Sequence, residues 1–218
     1  MLSNGTVVEE AEEAMWRQIV YNRTVLVNMI CMAFVWTSAS FNYYLISFQL
    51  KYIQGSIWTN GIISSTSEGV AYALSGILLE KLGLKFILIC SYVVAILGMG
   101  GLVIFQPPGD QQLLLSLLIL GSKFGVSACF NLAYVGNQFL FPISIVATSY
   151  GICNVFSRFA TIAAPGIAEI KPESISEWVF VSVCVLAFVA SLNLRPPPKD
   201  PKVNADVKEL LLEGQDKE

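Results

Sequence analysis

The sequence contains no histidine. That absence removes histidine proton shuttles, Ser-His and Cys-His nucleophilic pairs, and most metal sites. Charge is also scarce, at 13 % of 218 residues, against roughly a quarter in a soluble domain. So little charge cannot coat a water-facing surface, which excludes an ordinary soluble enzyme and a disordered chain. Positive excess is missing too: the net charge is −3 and the isoelectric point is near 5.1. No basic footprint for nucleic acid exists. Closely spaced cysteines are lacking, since Cys31, Cys90, Cys129, Cys153 and Cys184 form no C-x-x-C pair and each sits in an apolar run. There cysteine acts as a small hydrophobe, so neither a disulfide framework nor a zinc site is expected. A basic leader region is absent as well: Glu9, Glu10, Glu12 and Glu13 crowd the first residues, the opposite of a signal peptide.

What is abundant is hydrophobicity, at 55 % of residues with a mean hydropathy of +0.63. An all-α membrane protein follows. Apolar runs at approximately 25–48, 57–79, 86–105, 113–135, 143–168 and 178–194 each suit one bilayer crossing of about 20 residues. Turn signals separate them: Gln54-Gly55, Leu82-Gly83, Pro107-Pro108-Gly109-Asp110, Phe141-Pro142 and Lys171-Pro172. Long runs without strict alternation imply helices, not barrel strands. The expected organisation is a cytoplasmic segment over 1–24, a six-helix domain over 25–194 and a cytoplasmic tail over 195–218. Lys and Arg outside the runs divide nine to two between the sides, with only Lys51 and Lys171 on the poorer side. The positive-inside rule then puts both termini in the cytoplasm, where the sequons at Asn4 and Asn22 have no role. The tail is Pro-rich and then charged, a composition that predicts disorder with a short amphipathic turn at 207–212.

Three ionisable residues fall inside the runs: Glu68 at the middle of the second, Lys123 near the middle of the fourth, and Arg158 in the fifth. Arg158 lies 16 residues after Pro142, roughly 24 Å along a helix. Such groups cost at least about 2.5–3.5 kcal/mol on insertion scales, so each must face a bundle interior or a water-filled cavity. Two explanations stand. Glu68 could pair with Lys123 or Arg158 to pin helices together, or the three could line a solute pathway. Their charges sum to +1, so a shared cavity would favour anions. Phe41-Asn42-Tyr43-Tyr44, Ser64-Ser65-Thr66-Ser67, and Ser127, Asn131 and Tyr134 add polar and aromatic lining. Each of them could equally be helix-packing glue or part of an interfacial belt. Gly121 and Gly125, four apart, suggest close helix contact.

These residues resemble a known family. Glu68-Gly69-Val70-Ala71-Tyr72 is followed, twelve residues after Glu68, by Glu80-Lys81-Leu82-Gly83-Leu84-Lys85. That is similar to the E-x-P-A-Y and D-R-x-G-R-R/K motifs of the organic cation/anion transporter family within the major facilitator superfamily. Gly121-Ser122-Lys123-Phe124-Gly125-Val126-Ser127-Ala128 resembles the family's G-K-F-G-x-S-A tenth helix, and Pro142, Arg158 and Ala164-Pro165 follow at the family's intervals. The resemblance implies that the six crossings are helices seven to twelve of a twelve-helix carrier, built as two inverted three-helix repeats. It implies a substrate site with Arg158 attracting an anionic group, Lys123 and Glu68 tuning charge or coupling an ion, and Phe41, Tyr43 and Tyr44 giving apolar contact. It also implies a cytoplasmic gate at Glu80, Lys81, Gly83 and Lys85. The expected partners are a small organic solute, most simply an organic anion, the lipid bilayer, and a second transporter half from a like chain or a full-length relative. No cofactor, nucleic acid or catalysis is implied.

Departures from the family pattern mark an alternative. Phe139 and Val146 stand where the family carries Glu and Arg, Leu84 where it often carries Arg, and Val70 replaces a Pro. Neutralised gate positions and the missing first half would suit a truncated, non-transporting half that regulates a full-length relative. An intramembrane protease is excluded by the missing histidine and by the absence of Asp from every apolar run.

Overall fold

The computed structural model describes residues 19–49, 57–105, 112–172 and 174–195. Six long helices fill them: α1 (Arg23–Gln49), α2 (Ile57–Leu82), α3 (Leu84–Phe105), α4 (Gln112–Leu140), α5 (Ile143–Ala168) and α6 (Ser174–Asn193). No strand occurs among the described residues. Long apolar stretches without alternation settle on helix because a spanning helix satisfies its own backbone. Several helices outrun the apolar runs that announce them. α4 continues through Gly136-Asn137-Gln138 and stops only before Pro142, whose ring and missing N–H forbid continuation. α5 passes through Pro165 and ends at Ala168.

By length and apolarity five stretches can cross a membrane: Arg23–Gln49, Gly61–Leu82, Leu84–Phe105, Ser116–Leu140 and Ser174–Asn193. α5 is equally long but is interrupted by Ser149, Asn154, Ser157, Arg158 and Thr161. The six expected crossings are thus matched by five apolar helices and one polar one. The expectations for 1–18, for the connections around Lys51 and Pro107, and for the tail with its turn at 207–212 lie outside the described residues.

α1 is central. It packs on α4, α5 and α6, while α4 packs on α3 and α2, and α3 packs on α6. Trp36, Met32, Val35, Ala39, Leu45 and Ile46 of α1 are fully buried, as are Leu88, Tyr92 and Met99 of α3 and Leu132 and Ala133 of α4. α3 and α4 approach at backbone distance. A Cβ on Gly125 would lie 2.6 Å from the Ala95 nitrogen and the Ser91 oxygen, and one on Gly98 would strike Leu118 and Ser122. Gly121, expected to share this role, has open space beside it. At that level of α4 the contact with α3 is made by Leu118 and Ser122 against Gly98.

One end of the bundle collects the start of α1, the α2–α3 turn, the α4–α5 junction and the end of α6. The Asn28 side chain clamps the backbone beyond α6 there: its amide donates to the Arg195 carbonyl at 2.7 Å and its oxygen accepts from the Arg195 N–H at 2.8 Å. Leu84, at the head of α3, fills the notch left by Gly136 near the end of α4. Between α2 and α3, Gly83 adopts φ +83°, a conformation that only glycine takes without strain.

Candidate functional site

Helical spacing converges several side chains on Glu68. Tyr72 is one turn along α2, so it shares that face, and its hydroxyl donates to Glu68 Oε1 at 2.6 Å. From α1 the Tyr43 hydroxyl donates to the same oxygen at 2.7 Å. From α4 the Lys123 ammonium lies 3.9 Å from Glu68 Oε2. Lys123 also donates to Ser47 Oγ at 2.6 Å, and its nitrogen sits 4.2 Å above the Tyr43 ring. Ser47 in turn donates to the Tyr43 carbonyl at 2.6 Å. Three helices therefore meet at one carboxylate and one ammonium. Lys123 is the more deeply set, at 4 % side-chain exposure against 19 % for Glu68. Glu68 thus faces the more open side, and Lys123 closes the cluster from behind.

An aromatic row runs away from this pair between α1, α4 and α5. Tyr44 meets Tyr43 edge-on at 5.4 Å, Tyr43 stacks on Phe130 at 5.1 Å, and Phe130 meets Tyr134 at 5.1 Å. Tyr134 then contacts Trp36 at 4.4 Å, and Trp36 meets Tyr150 at 4.8 Å. These offset and edge-on contacts are the arrangements that aromatic quadrupoles favour. They leave Tyr43, Tyr44, Phe130, Tyr134 and Tyr150 half-buried while Trp36 is sealed.

Arg158 stands apart. It is exposed on α5, and its Nε donates to Asn154 Oδ1, one turn earlier, at 3.2 Å. Among the described residues no carboxylate reaches it. Gly151, Asn154, Val155, Arg158, Phe159 and Ile162 form one stripe of α5 along an open groove of about 650 Å³.

Of the residues singled out in the sequence, Glu68, Lys123 and Tyr43 come together, with Tyr44 beside them. Phe41 does not join. It is two residues from Tyr43, about 200° around the helix, and is buried at 6 % exposure. At the α2–α3 turn Glu80 and Lys81 are exposed and Lys85 is half-buried, and among the described residues no ion pair joins them. Asn131 acts as glue between α4 and α2, donating to Ser75 Oγ at 2.9 Å and the Tyr72 carbonyl at 3.3 Å. Ser47 and Phe130 were not singled out, and Tyr72 was named only within the Glu68–Tyr72 motif, although spacing could have placed all three at the site. Tyr72 lies four residues from Glu68, Ser47 four from Tyr43, and Phe130 seven from Lys123, each on the same helix face. No group of three or more Cys, Asp or Glu stands together to hold a metal among the described residues.

An all-helical, multi-pass membrane protein with an ion pair set between its helices is the class that fold and site define. No family model matches the chain. It is similar to organic cation/carnitine transporter 2 of Homo sapiens, 29 % identical over 133 residues, covering 60 % of this chain and 23 % of that protein. Solute carrier family 22 member 4 of Mus musculus is 26 % identical over 146 residues, covering 66 % of this chain and 26 % of that protein. Solute carrier family 22 member 16 of Bos taurus is 22 % identical over 191 residues, covering 88 % of this chain and 32 % of that protein. Over part of their length these solute carrier family 22 transporters are similar to the chain, in line with the resemblance that its motifs carry. The chain spans between 23 % and 32 % of the length of these curated relatives.

Proposed function

We propose that this chain forms part of a facilitator-type carrier that moves small organic solutes, organic anions foremost, across a membrane by alternating access. All six helices cross, with both termini on the cytoplasmic side. α1–α3 and α4–α6 are two inverted repeats, and a second half completes the pathway. Helix pairing supports this architecture: α1 packs on α5 as α4 packs on α2, and α3 on α4 as α6 on α1. Exchange of elements between two three-helix repeats gives that pattern.

The observation that carries the reading is the unequal treatment of two cations. Lys123 is neutralised by Glu68, whereas Arg158 has no carboxylate among the described residues. A net positive group on a groove at membrane depth calls for an anion. Arg158 then holds the anionic group of the solute. Tyr43 and Tyr44 supply apolar and hydroxyl contact, Phe41 backs them from the packed face, and Glu68 and Lys123 set the local charge. Glu80, Lys81, Gly83 and Lys85 form the cytoplasmic gate. Relatives whose names mention organic cations and carnitine share the helices without fixing this chain's solute.

A second reading is a non-transporting half that docks on a full-length relative. The burial of Leu84 against Gly136, where the family often has Arg, favours it, because the α2–α3 turn then closes by packing instead of by charge. Uptake of labelled organic anions into proteoliposomes containing the 218-residue chain separates the two, with Arg158→Ala as control. Uptake that falls at least about tenfold in the control supports the carrier, the scale expected when a charged contact of about 1.5–3 kcal/mol is lost. Absence of uptake under any gradient by a folded chain rejects autonomous transport. Uptake unchanged in Arg158→Ala rejects the anion site.

A further inference from the structure

Asn154 and Arg158 stand four residues apart on α5, the spacing at which helical side chains meet. The Arg158 Nε donates to Asn154 Oδ1 at 3.2 Å. A guanidinium can only donate, so the amide has to turn its oxygen toward it. The neutrality of this acceptor matters. It orients the arginine without cancelling its charge, as an aspartate at the same spacing would do.

The contact also uses up part of the guanidinium. Its N–H groups lie in one plane, and a two-oxygen anion binds with parallel bonds either at the edge that includes Nε or at the terminal nitrogens. With Nε committed to Asn154, the terminal pair is the edge left over, and among the described residues no other group bonds to this guanidinium. The rest of the groove consists of Gly151, Val155, Phe159 and Ile162. Val155, Phe159 and Ile162 are exposed there, and a Cβ on Gly151 would meet nothing within 4 Å. One flat cationic fork thus faces an apolar groove with open space one turn away.

We propose that Asn154 is a positioning residue that fixes the Arg158 guanidinium so that its two terminal nitrogens receive a carboxylate carried on an apolar body. This rests on the reading of Arg158 as the anion site and adds the geometry by which that site selects. A freely turning arginine accepts anions of any shape. Held by Nε, it presents its fork in a single plane. A carboxylate has two oxygens and matches that plane in one orientation, whereas a sulfonate has three around its axis and adapts to many. Fixing the fork therefore favours carboxylate over sulfonate.

Binding of two probes to the full chain in lipid nanodiscs tests it. 4-Fluorobenzoate and 4-fluorobenzenesulfonate are titrated and followed by fluorine NMR, with empty nanodiscs giving the lipid background. Re-immobilising a freed arginine costs about threefold to tenfold in affinity. Asn154→Ala should therefore weaken the benzoate about tenfold and the more adaptable sulfonate about threefold, narrowing the carboxylate preference about threefold. Asn154→Gln keeps a neutral acceptor and should restore most of that preference. Asn154→Asp keeps the shape but pairs Arg158, so both probes should weaken at least about tenfold; a merely structural asparagine would instead leave this variant like the parent. The Gln and Asp variants decide the matter alone should Asn154→Ala fail to fold. A carboxylate preference unchanged in Asn154→Ala, or parent-like binding in Asn154→Asp, overturns the proposal, while loss of binding in Arg158→Ala keeps the anion site itself. Binding of both probes unchanged in Arg158→Ala overturns the anion site and the positioning role together.

Discussion

Removing one member of the Glu68–Lys123 pair should destabilise the bundle more when the lost member is the acid. At 3.9 Å and an effective dielectric of 20, the attraction is about 4 kcal/mol. The two survivors are not equally provided for. Without Lys123, Glu68 keeps two tyrosine hydroxyls on Oε1 and some access to water. Without its carboxylate partner, Lys123 keeps Ser47 Oγ and the Tyr43 ring face, at 4 % exposure. Leaving one charge of a buried pair unpaired costs about 3–5 kcal/mol. Glu68→Gln should therefore lose about 4 kcal/mol and Lys123→Met about 2 kcal/mol, because hydroxyl bonds to a carboxylate offset about 2 kcal/mol of the penalty. At roughly 2–4 °C per kcal/mol for a chain of this size, the midpoints fall by about 8–16 °C and about 4–8 °C. The double variant removes both charges and should recover to within about 1 kcal/mol of the parent, giving a coupling near 5–6 kcal/mol. Thermal unfolding of purified protein in one detergent, followed by size exclusion, measures all four corners of the cycle. Additive losses in the double variant, or a larger loss for Lys123→Met than for Glu68→Gln, would refute the assignment of the pair.

Gly125→Ala should lower stability by about 1–3 kcal/mol, since its new methyl would sit 2.6 Å from backbone atoms of α3 that cannot step aside. Gly100→Ala, with nothing within 4 Å of the same probe position, should be neutral or slightly stabilising by helix propensity; equal effects in the two variants would contradict the close α3–α4 contact. Gly83→Ala should cost about 1–2 kcal/mol because φ is +83°, and Gly83→Asn should cost less, as Asn tolerates the left-handed region; thermal midpoints in the order Gly, Asn, Ala would confirm the turn.

Apolar runs of bilayer length announced that these stretches are helical, because burial in hydrocarbon leaves a chain no other way to satisfy its backbone. Ends were harder to read: α4 keeps its helix through polar Asn137 and Gln138 until Pro142 stops it, and hydropathy ignores backbone geometry. Within the site, depth along the helix placed Glu68 and Lys123 at a common level, but the choice between Lys123 and Arg158 as partner was open. Which face of α5 turns inward decides it. α5 packs on α1 and hardly on α2, so Arg158 is carried away from Glu68. Tyr72 stands in the Glu68–Tyr72 motif without a role of its own, and only its four-residue spacing from Glu68 points to the hydrogen bond.

That separation of Arg158 from the pair has a mechanical consequence. Glu68 and Arg158 sit on α2 and α5, the middle helices of the two three-helix segments, yet their surroundings are opposite: one charge is saturated by hydroxyls and an ammonium, the other has a single side-chain amide. A saturated pair between α1, α2 and α4 holds those three helices together whatever occupies the groove, since adding a solute there brings it no better partner. An unsaturated arginine gains most of its interaction free energy only when an anion arrives, so its environment differs between empty and loaded states. A ligand shifts a conformational equilibrium only through such differential interaction. Under the proposed carrier reading, Arg158 is therefore the charge of the three that would convert solute binding into movement, with Glu68 and Lys123 keeping the helices opposite it rigid.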